Sequence, residues 1–300
     1  FSTYTNTVYE HLDSLGRLSA HNHFYYHGTH PTEKILWHKF DAVVIHYCLR
    51  LAHDQLPSIL VEEVENFSGL KVLFLQDEYD HTERTRNYIK RLGADVVFTS
   101  VPPDIRKDIY PPNRFPKVKF VTTLTGYVSE FYNTTLDIPT IQERNTVIAY
   151  RGRSLPFWYG DLGQEKQTIA MVVKDNCIER KIKCDIEWDD DHRIYGDKWI
   201  EFLKSSKATL GTESGANVFD YDGQIKESFI QYQEAHPNAT YGEARLAVLG
   251  TLEEKPIMNQ ISPRIFEAIA FKTALVLFEG NYSGVIHPYR HYLPLKKDFS

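Results

Sequence analysis

Cysteine is scarce in this chain: Cys48, Cys177 and Cys184 are the only three. So few, so far apart, cannot frame a disulfide-stapled domain, and they point to a reducing, cytoplasmic setting. Excess positive charge is missing too. With 34 Lys and Arg against 40 Asp and Glu, the formal net charge is −6. That excludes a broad nucleic-acid-binding surface, which needs clustered cations, but leaves room for a local basic pocket. No apolar run approaches the roughly 20 residues of a membrane span, so a soluble protein is expected. HExxH, the helical zinc-protease signature, is absent as well.

What is present is material for folding. A hydrophobic share of 42% against 25% charged residues is the balance of a globular chain. A length of 300 residues exceeds what one core usually supports, so two domains are expected. Aromatics are plentiful, with 19 Tyr, 17 Phe and 4 Trp, a supply that suits both ordinary cores and clefts that stack rings against bases or sugars.

Hydrophobic patterning alternates strands with helices. Asp41–Tyr47, Lys71–Leu75, Ala94–Ser100 and Val118–Leu124 read as strands, with helices over Leu56–Phe67 and Thr82–Leu92, the latter closed by Gly93. After a looser stretch, Pro139–Arg144, the pattern restarts. Thr146–Tyr150, Cys184–Trp188, Ala208–Gly211 and Ala274–Phe278 read as strands between helices over 161–174, 199–204, 225–234, 241–249 and 263–271. Such alternation implies parallel sheets with right-handed crossovers. Two Rossmann-like α/β domains, 1–143 and 144–300, are therefore expected.

In open parallel sheets ligands gather beyond the C-terminal strand ends, which singles out several groups. Pro263 fits a first helical turn with Ser262 as its N-cap. The helix N-terminus, with the forked donor of Arg264, suits phosphate. Glu267, three residues on, could accept from ribose hydroxyls, or could simply pair with Arg264 on a helix surface. Gly211-Thr212-Glu213-Ser214-Gly215 follows a strand and offers hydroxyls, close backbone approach and stacked N–H groups; an ordinary strand-to-helix turn has the same composition. It matches neither a Walker loop, nor G-x-S-x-G, nor G-x-G-x-x-G. Arg151 and Arg153 flank Gly152 at another strand end, where they suit a diphosphate or equally a solvated loop. In the first half, Asp77, Glu78 and His46 lie at adjacent strand ends: a carboxylate there could deprotonate an acceptor hydroxyl with His46 contacting the substrate, or could cap the next helix. In a strand, His21, His23 and His27 would share one face, with His30 nearby, which is compatible with zinc, but no Cys or carboxylate stands near with metal spacing. The edge of a core is the better reading, and no metal site is expected.

These residues carry a resemblance. Ser262–Glu267, Ala274–Gly280, Tyr282–Gly284 and His291–Leu295 resemble bacterial glycosyltransferases of the "glycosyl transferases group 1" type, close to the CgeB-like spore-maturation branch. Gly211–Asp220, Asp222-Gly223, Val44–Tyr47 and Leu75–Tyr79 add to the likeness, which spans most of residues 40 to 300. It implies a GT-B fold, two Rossmann-like domains whose parallel sheets face an interdomain cleft, and metal-independent transfer of a sugar from a nucleotide-sugar donor to a hydroxyl of a glycan or glycolipid. It implies no further cofactor, and a cytoplasmic enzyme of surface polysaccharide synthesis, peripheral to the inner membrane at most. By that likeness Glu267 holds the donor ribose, while Arg264 and Arg151 steady the departing diphosphate. Asn259 stands where the wider group often carries a glutamate, eight positions before the ribose-binding one. The likeness further implies a fold cut at both ends: Tyr4–Leu18 reads as a first helix without its preceding strand, and the closing helices lie beyond Ser300, as in a segment of a longer polypeptide. A non-catalytic GT-B-like module that binds nucleotide or glycan, and a GT-B-like nucleotide-sugar epimerase, are the alternatives.

Overall fold

The computed structural model describes residues 6–30, 33–130, 132, 137–250 and 257–300. It is an α/β structure whose two larger sheets are wholly parallel. The chain divides into two compact units. One holds Leu18–Leu124 and Asn217–Met258, the other Phe1–Arg17, Thr125–Ala216 and Asn259–Ser300.

The first of these contains β1 (Ala42–Ile45), β2 (Leu70–Phe74), β3 (Val96–Thr99) and β4 (Lys119–Thr122), hydrogen-bonded in that order. β1 is shorter than the apolar run that announces it. The His46 Nδ1 accepts the Cys48 N–H at 3.1 Å, and this local competitor to ladder hydrogen bonding turns the chain out of the sheet. The helix Thr82–Leu92 matches its expected bounds. It stops because Gly93 takes the left-handed conformation (φ 66°) and its N–H returns to the Lys90 carbonyl, a conformation that carries no Cβ penalty in glycine. Leu60, Val61, Val64, Leu73, Ile89, Leu92 and Val97 are buried in its core.

In the other unit the strands are β5 (Thr146–Arg151), β6 (Cys184–Glu187), β7 (Ser206–Gly211), β8 (Ser214–Ala216), β9 (Met258–Gln260), β10 (Ala274–Phe278) and β11 (Leu293–Leu295). β8 and β9 form a separate two-stranded sheet. The five-stranded sheet has the order β11-β10-β7-β5-β6. From β5 the chain winds outward to β6, then returns to the opposite side of β5 as β7 and continues through β10 to β11. Both faces are covered, which is why its strands read as near-continuous apolar runs. Ile169, Ala170 and Cys177 of the helix Gly160–Glu179 join Tyr150, Ile186, Leu210 and Phe278 in one cluster. Phe202 and Leu203 of the helix Asp197–Lys204, with Ile265 and Ala268 of the helix Pro263–Ala270, join Ala149, Leu275 and Leu277 in another. The helix Asn6–Leu18 belongs to this unit as well; Tyr4 and Thr5 of its expected span lie outside the described residues. No helix among the described residues is long and apolar enough to cross a membrane.

Candidate anion-binding site

Reversal of strand order between β5 and β7 makes a topological switch point. There the loops leaving neighbouring strands diverge to opposite faces and open a crevice. A cavity of about 260 Å³ lies at this point. Tyr150 to Arg153 line it from the end of β5, Thr209 to Thr212 from the end of β7, Ser214 from the start of β8, and Ser262, Arg264 and Ile265 from the start of the helix Pro263–Ala270. That helix begins as its local sequence dictates: Pro263 occupies the first turn and the Ser262 hydroxyl accepts the Arg264 N–H at 3.4 Å.

The charge of the lining is one-sided. Arg151, Arg153, Lys166, Arg193 and Arg264 line the cavity, and no Asp or Glu is among the described residues that do. Two of these cations meet carboxylates outside the lining, Arg151 with Asp185 at 2.7 Å and Arg193 with Asp190 at 3.2 Å. Arg151 is also held by the Tyr150 and Asp185 carbonyls and lies 4.5 Å over the Phe202 ring, so its guanidinium is fixed in place. Exposed Arg264 lies 5.2 Å over the Trp199 ring and donates to the Arg151 carbonyl. Arg153 is exposed at the rim. Several cations converging on one crevice repel one another, and an anion of high charge density relieves that repulsion.

Of the residues expected at a ligand, Arg151, Arg153, Gly211, Thr212, Ser214 and Arg264 are brought together here. Glu213, Gly215, Asn259 and Glu267 do not line the cavity. The Glu213 carboxylate is 3% exposed and works within the fold. It accepts the N–H groups of Asn281 at 3.0 Å and Tyr282 at 2.7 Å and the side-chain amide of Asn259. It thereby holds a turn in which Tyr282 and Ser283 are both left-handed, with φ of 46° and 56°, a conformation costly for non-glycine residues. Gly280 leaves space for this carboxylate, since a Cβ there would come within 2.6 Å of Glu213 Oε2. Glu213→Ala is expected to cost about 2–4 kcal/mol by orphaning buried donors, measured as a lowered urea midpoint; a loss under ~1 kcal/mol would show the turn to be self-supporting.

Glu267 is likewise buried. It accepts the Trp199 indole N–H at 2.8 Å, and burial is the main cause pushing its pKa above the usual carboxylate value. Lys166, Arg193 and Trp199 are the lining residues that strand-end reasoning passed over. Lys166 and Trp199 reach the cavity from helices and Arg193 from a loop, and none of the three stands at a strand end.

Asp77, Glu78 and His46 belong to the four-stranded unit. Asp77 is exposed with φ 53° and accepts from the Tyr79 hydroxyl at 2.9 Å. Glu78 is 1% exposed, and the Thr99 hydroxyl reaches its two carboxyl oxygens at 2.6 and 2.8 Å. Desolvation raises its pKa to about 8, so it is a neutral acid at pH 7. His46 is buried, with its ring 3.9 Å from that of Tyr47. His21, His23, His27 and His30 are all exposed rather than packed at the edge of a core, and the His27 ring lies 5.2 Å from that of His30.

No protein-family model matches this chain, and no curated protein matches it.

Proposed function

We propose that the cavity at the β5–β7 switch point binds the diphosphate of a nucleotide-sugar, and that the chain is a GT-B-type glycosyltransferase passing the sugar to a hydroxyl of a glycan or glycolipid. One observation carries this reading: among the described residues, five cationic side chains and no carboxylate line a crevice where doubly wound sheets place their ligands. As the bond from sugar to phosphate breaks, negative charge grows on the departing diphosphate. Arg264, Arg153, Lys166 and Arg193 would meet that charge, and fixed cations facing it are worth more in the transition state than in the ground state. Arg151, clamped by Asp185, supplies a fixed positive field. Ribose binding by Glu267 requires hydroxyls to replace the Trp199 indole as its donor. The resemblance to group 1 glycosyltransferases supplies the reaction class; the cavity supports the anionic donor.

Glu78, buried and neutral at pH 7, is poorly suited to act as a base, which leaves the exposed carboxylate of Asp77 as the candidate. The burial of Glu78 favours a second reading, a module that binds nucleotide without turnover.

Calorimetric titration with UDP, GDP, CMP, ADP and dTDP tests the proposal, with Arg264→Ala and Arg153→Ala as controls. One nucleoside diphosphate is expected to bind and, at about 100 times its Kd, to stabilise the fold by roughly 2.7 kcal/mol. Each variant is expected to lose tenfold or more in affinity, since hydrogen bonds to charged groups contribute about 1.5–3 kcal/mol. If no nucleotide binds a folded sample, or inorganic diphosphate binds as well as any of them, the donor-site reading fails. Binding without sugar transfer or donor hydrolysis selects the non-catalytic module.

A further inference from the structure

Beyond the cavity, the end of β6 gathers a second set of chemistry-bearing groups. Glu187 is the last residue of β6 and stands opposite Arg151 in the β5–β6 register. Two further backbone bonds, Gly152 N–H to the Glu187 carbonyl at 2.9 Å and Ser154 N–H to the Trp188 carbonyl at 3.1 Å, extend the pairing past the strand end. The chain then folds back: the His192 N–H reaches Asp189 Oδ1 at 3.1 Å, and the His192 Nδ1 lies 2.5 Å from the same oxygen. The result is one carboxylate oxygen from Glu187, one from Asp189 and one imidazole nitrogen from His192, all within 4.8 Å of one another.

We propose that Glu187, Asp189 and His192 form a divalent-cation site at the C-terminal end of β6, taking a borderline transition-metal ion of the Zn²⁺ or Co²⁺ kind. An imidazole combined with two carboxylates is a donor set for such ions, whereas an oxygen-only patch favours Ca²⁺ or Mg²⁺. Modest side-chain rotations bring donors this close to bonds of about 2.0–2.2 Å. Lys174 pairs with Oε1 of Glu187 at 2.7 Å, an interaction that an ion on this carboxylate must share or displace. Asp190 and Asp191 add negative charge beside the three donors. Arg193, which follows His192 directly, lines the anion cavity, so an ion here adds positive charge at the rim of that cavity.

The site is independent of the nucleotide reading and is tested without nucleotide. Tag-free full chain is titrated with ZnCl₂ by calorimetry and with CoCl₂ by quenching of tryptophan fluorescence, Trp188 being adjacent to the donors. Wild type is expected to bind one equivalent at pH 7.5. His192→Gln and Asp189→Asn are expected to lose tenfold or more in affinity with unchanged circular dichroism, while His27→Ala, in the separate histidine cluster, binds as wild type. Glu187→Gln replaces either variant that fails to fold. The site is refuted if wild type shows no binding below millimolar metal, or if His192→Gln titrates like wild type. It is refuted equally if Ca²⁺ binds as tightly as Zn²⁺ and survives His192→Gln, which would make it an acidic patch alone.

Discussion

Replacing Arg144 by leucine will destabilise the protein by about 4 kcal/mol, read as a lowered urea midpoint. Arg144 is 4% exposed, and its described hydrogen-bond partners are carbonyls and a hydroxyl rather than a carboxylate. Its guanidinium instead donates to four acceptors: the Pro139 carbonyl at 3.2 Å, the Ser206 carbonyl at 2.8 Å, the Thr273 hydroxyl at 2.9 Å and the Phe271 carbonyl at 2.8 Å. One side chain thus fastens the segment before β5 to the start of β7 and to the turn between the helix Pro263–Ala270 and β10. Hydrogen bonds to a charged donor contribute about 1.5–3 kcal/mol each and are not additive, and leucine leaves buried acceptors unpaired. Arg144→Lys is expected to fall between, because a compact ammonium cannot span four acceptors in fork geometry. A loss below ~1 kcal/mol in Arg144→Leu would show that water satisfies those acceptors and that the clamp is dispensable.

The second large effect concerns Glu78. Its folded-state pKa of about 8 lies above the 4.5 of an unperturbed glutamate, chiefly through desolvation. Between those values the unfolded chain has released the proton while the folded chain retains it, so stability falls as the pH rises across that window and levels off above it. One pKa unit corresponds to about 1.4 kcal/mol, so this group alone costs on the order of 4 kcal/mol between pH 5 and pH 8.5. Glu78→Gln keeps the shape and loses the titration. Its stability relative to wild type is expected to be near zero or slightly negative at pH 5 and to become favourable by several kcal/mol at pH 8.5. Urea midpoints at the two pH values measure the difference, and a constant offset between the proteins would disprove the account.

Both residues show where sequence reading stops. Glu78 sits in a Gln-Asp-Glu run at a strand end and has the composition of a catalytic carboxylate, yet its carboxyl turns inward to Thr99, 21 residues away. Arg144 lies in a stretch that reads as loose, yet two of its acceptors, Phe271 and Thr273, are 127 and 129 residues distant. Glu213 and Glu267 behave alike. Each is acidic, follows a glycine-rich turn or a helix start, and has the signature of a ligand-binding group, but each is consumed by partners 46 to 69 and 68 residues away respectively. Residue type announces what a side chain can bond to; which partner reaches it first depends on how distant segments meet.

What the sequence alone determined is whatever rests on neighbours in the chain. The strand–helix alternation, the parallel sheets it demands, the Gly93 stop and the Ser262-Pro263 helix start were legible because propensity, periodicity and capping act over a few residues. So was the gathering of Arg151, Arg153, Thr212, Ser214 and Arg264, since all sit at strand ends or a helix start and the strand-end rule for open sheets carries them to one edge. Only the tertiary structure decided the order β11-β10-β7-β5-β6, and with it the crevice between β5 and β7 that Lys166, Arg193 and Trp199 complete. It also decided that the two compact units are each assembled from separate stretches of chain. Those outcomes depend on which apolar faces bury against each other across a hundred residues or more, and burial is a property of the packed molecule that no local window contains.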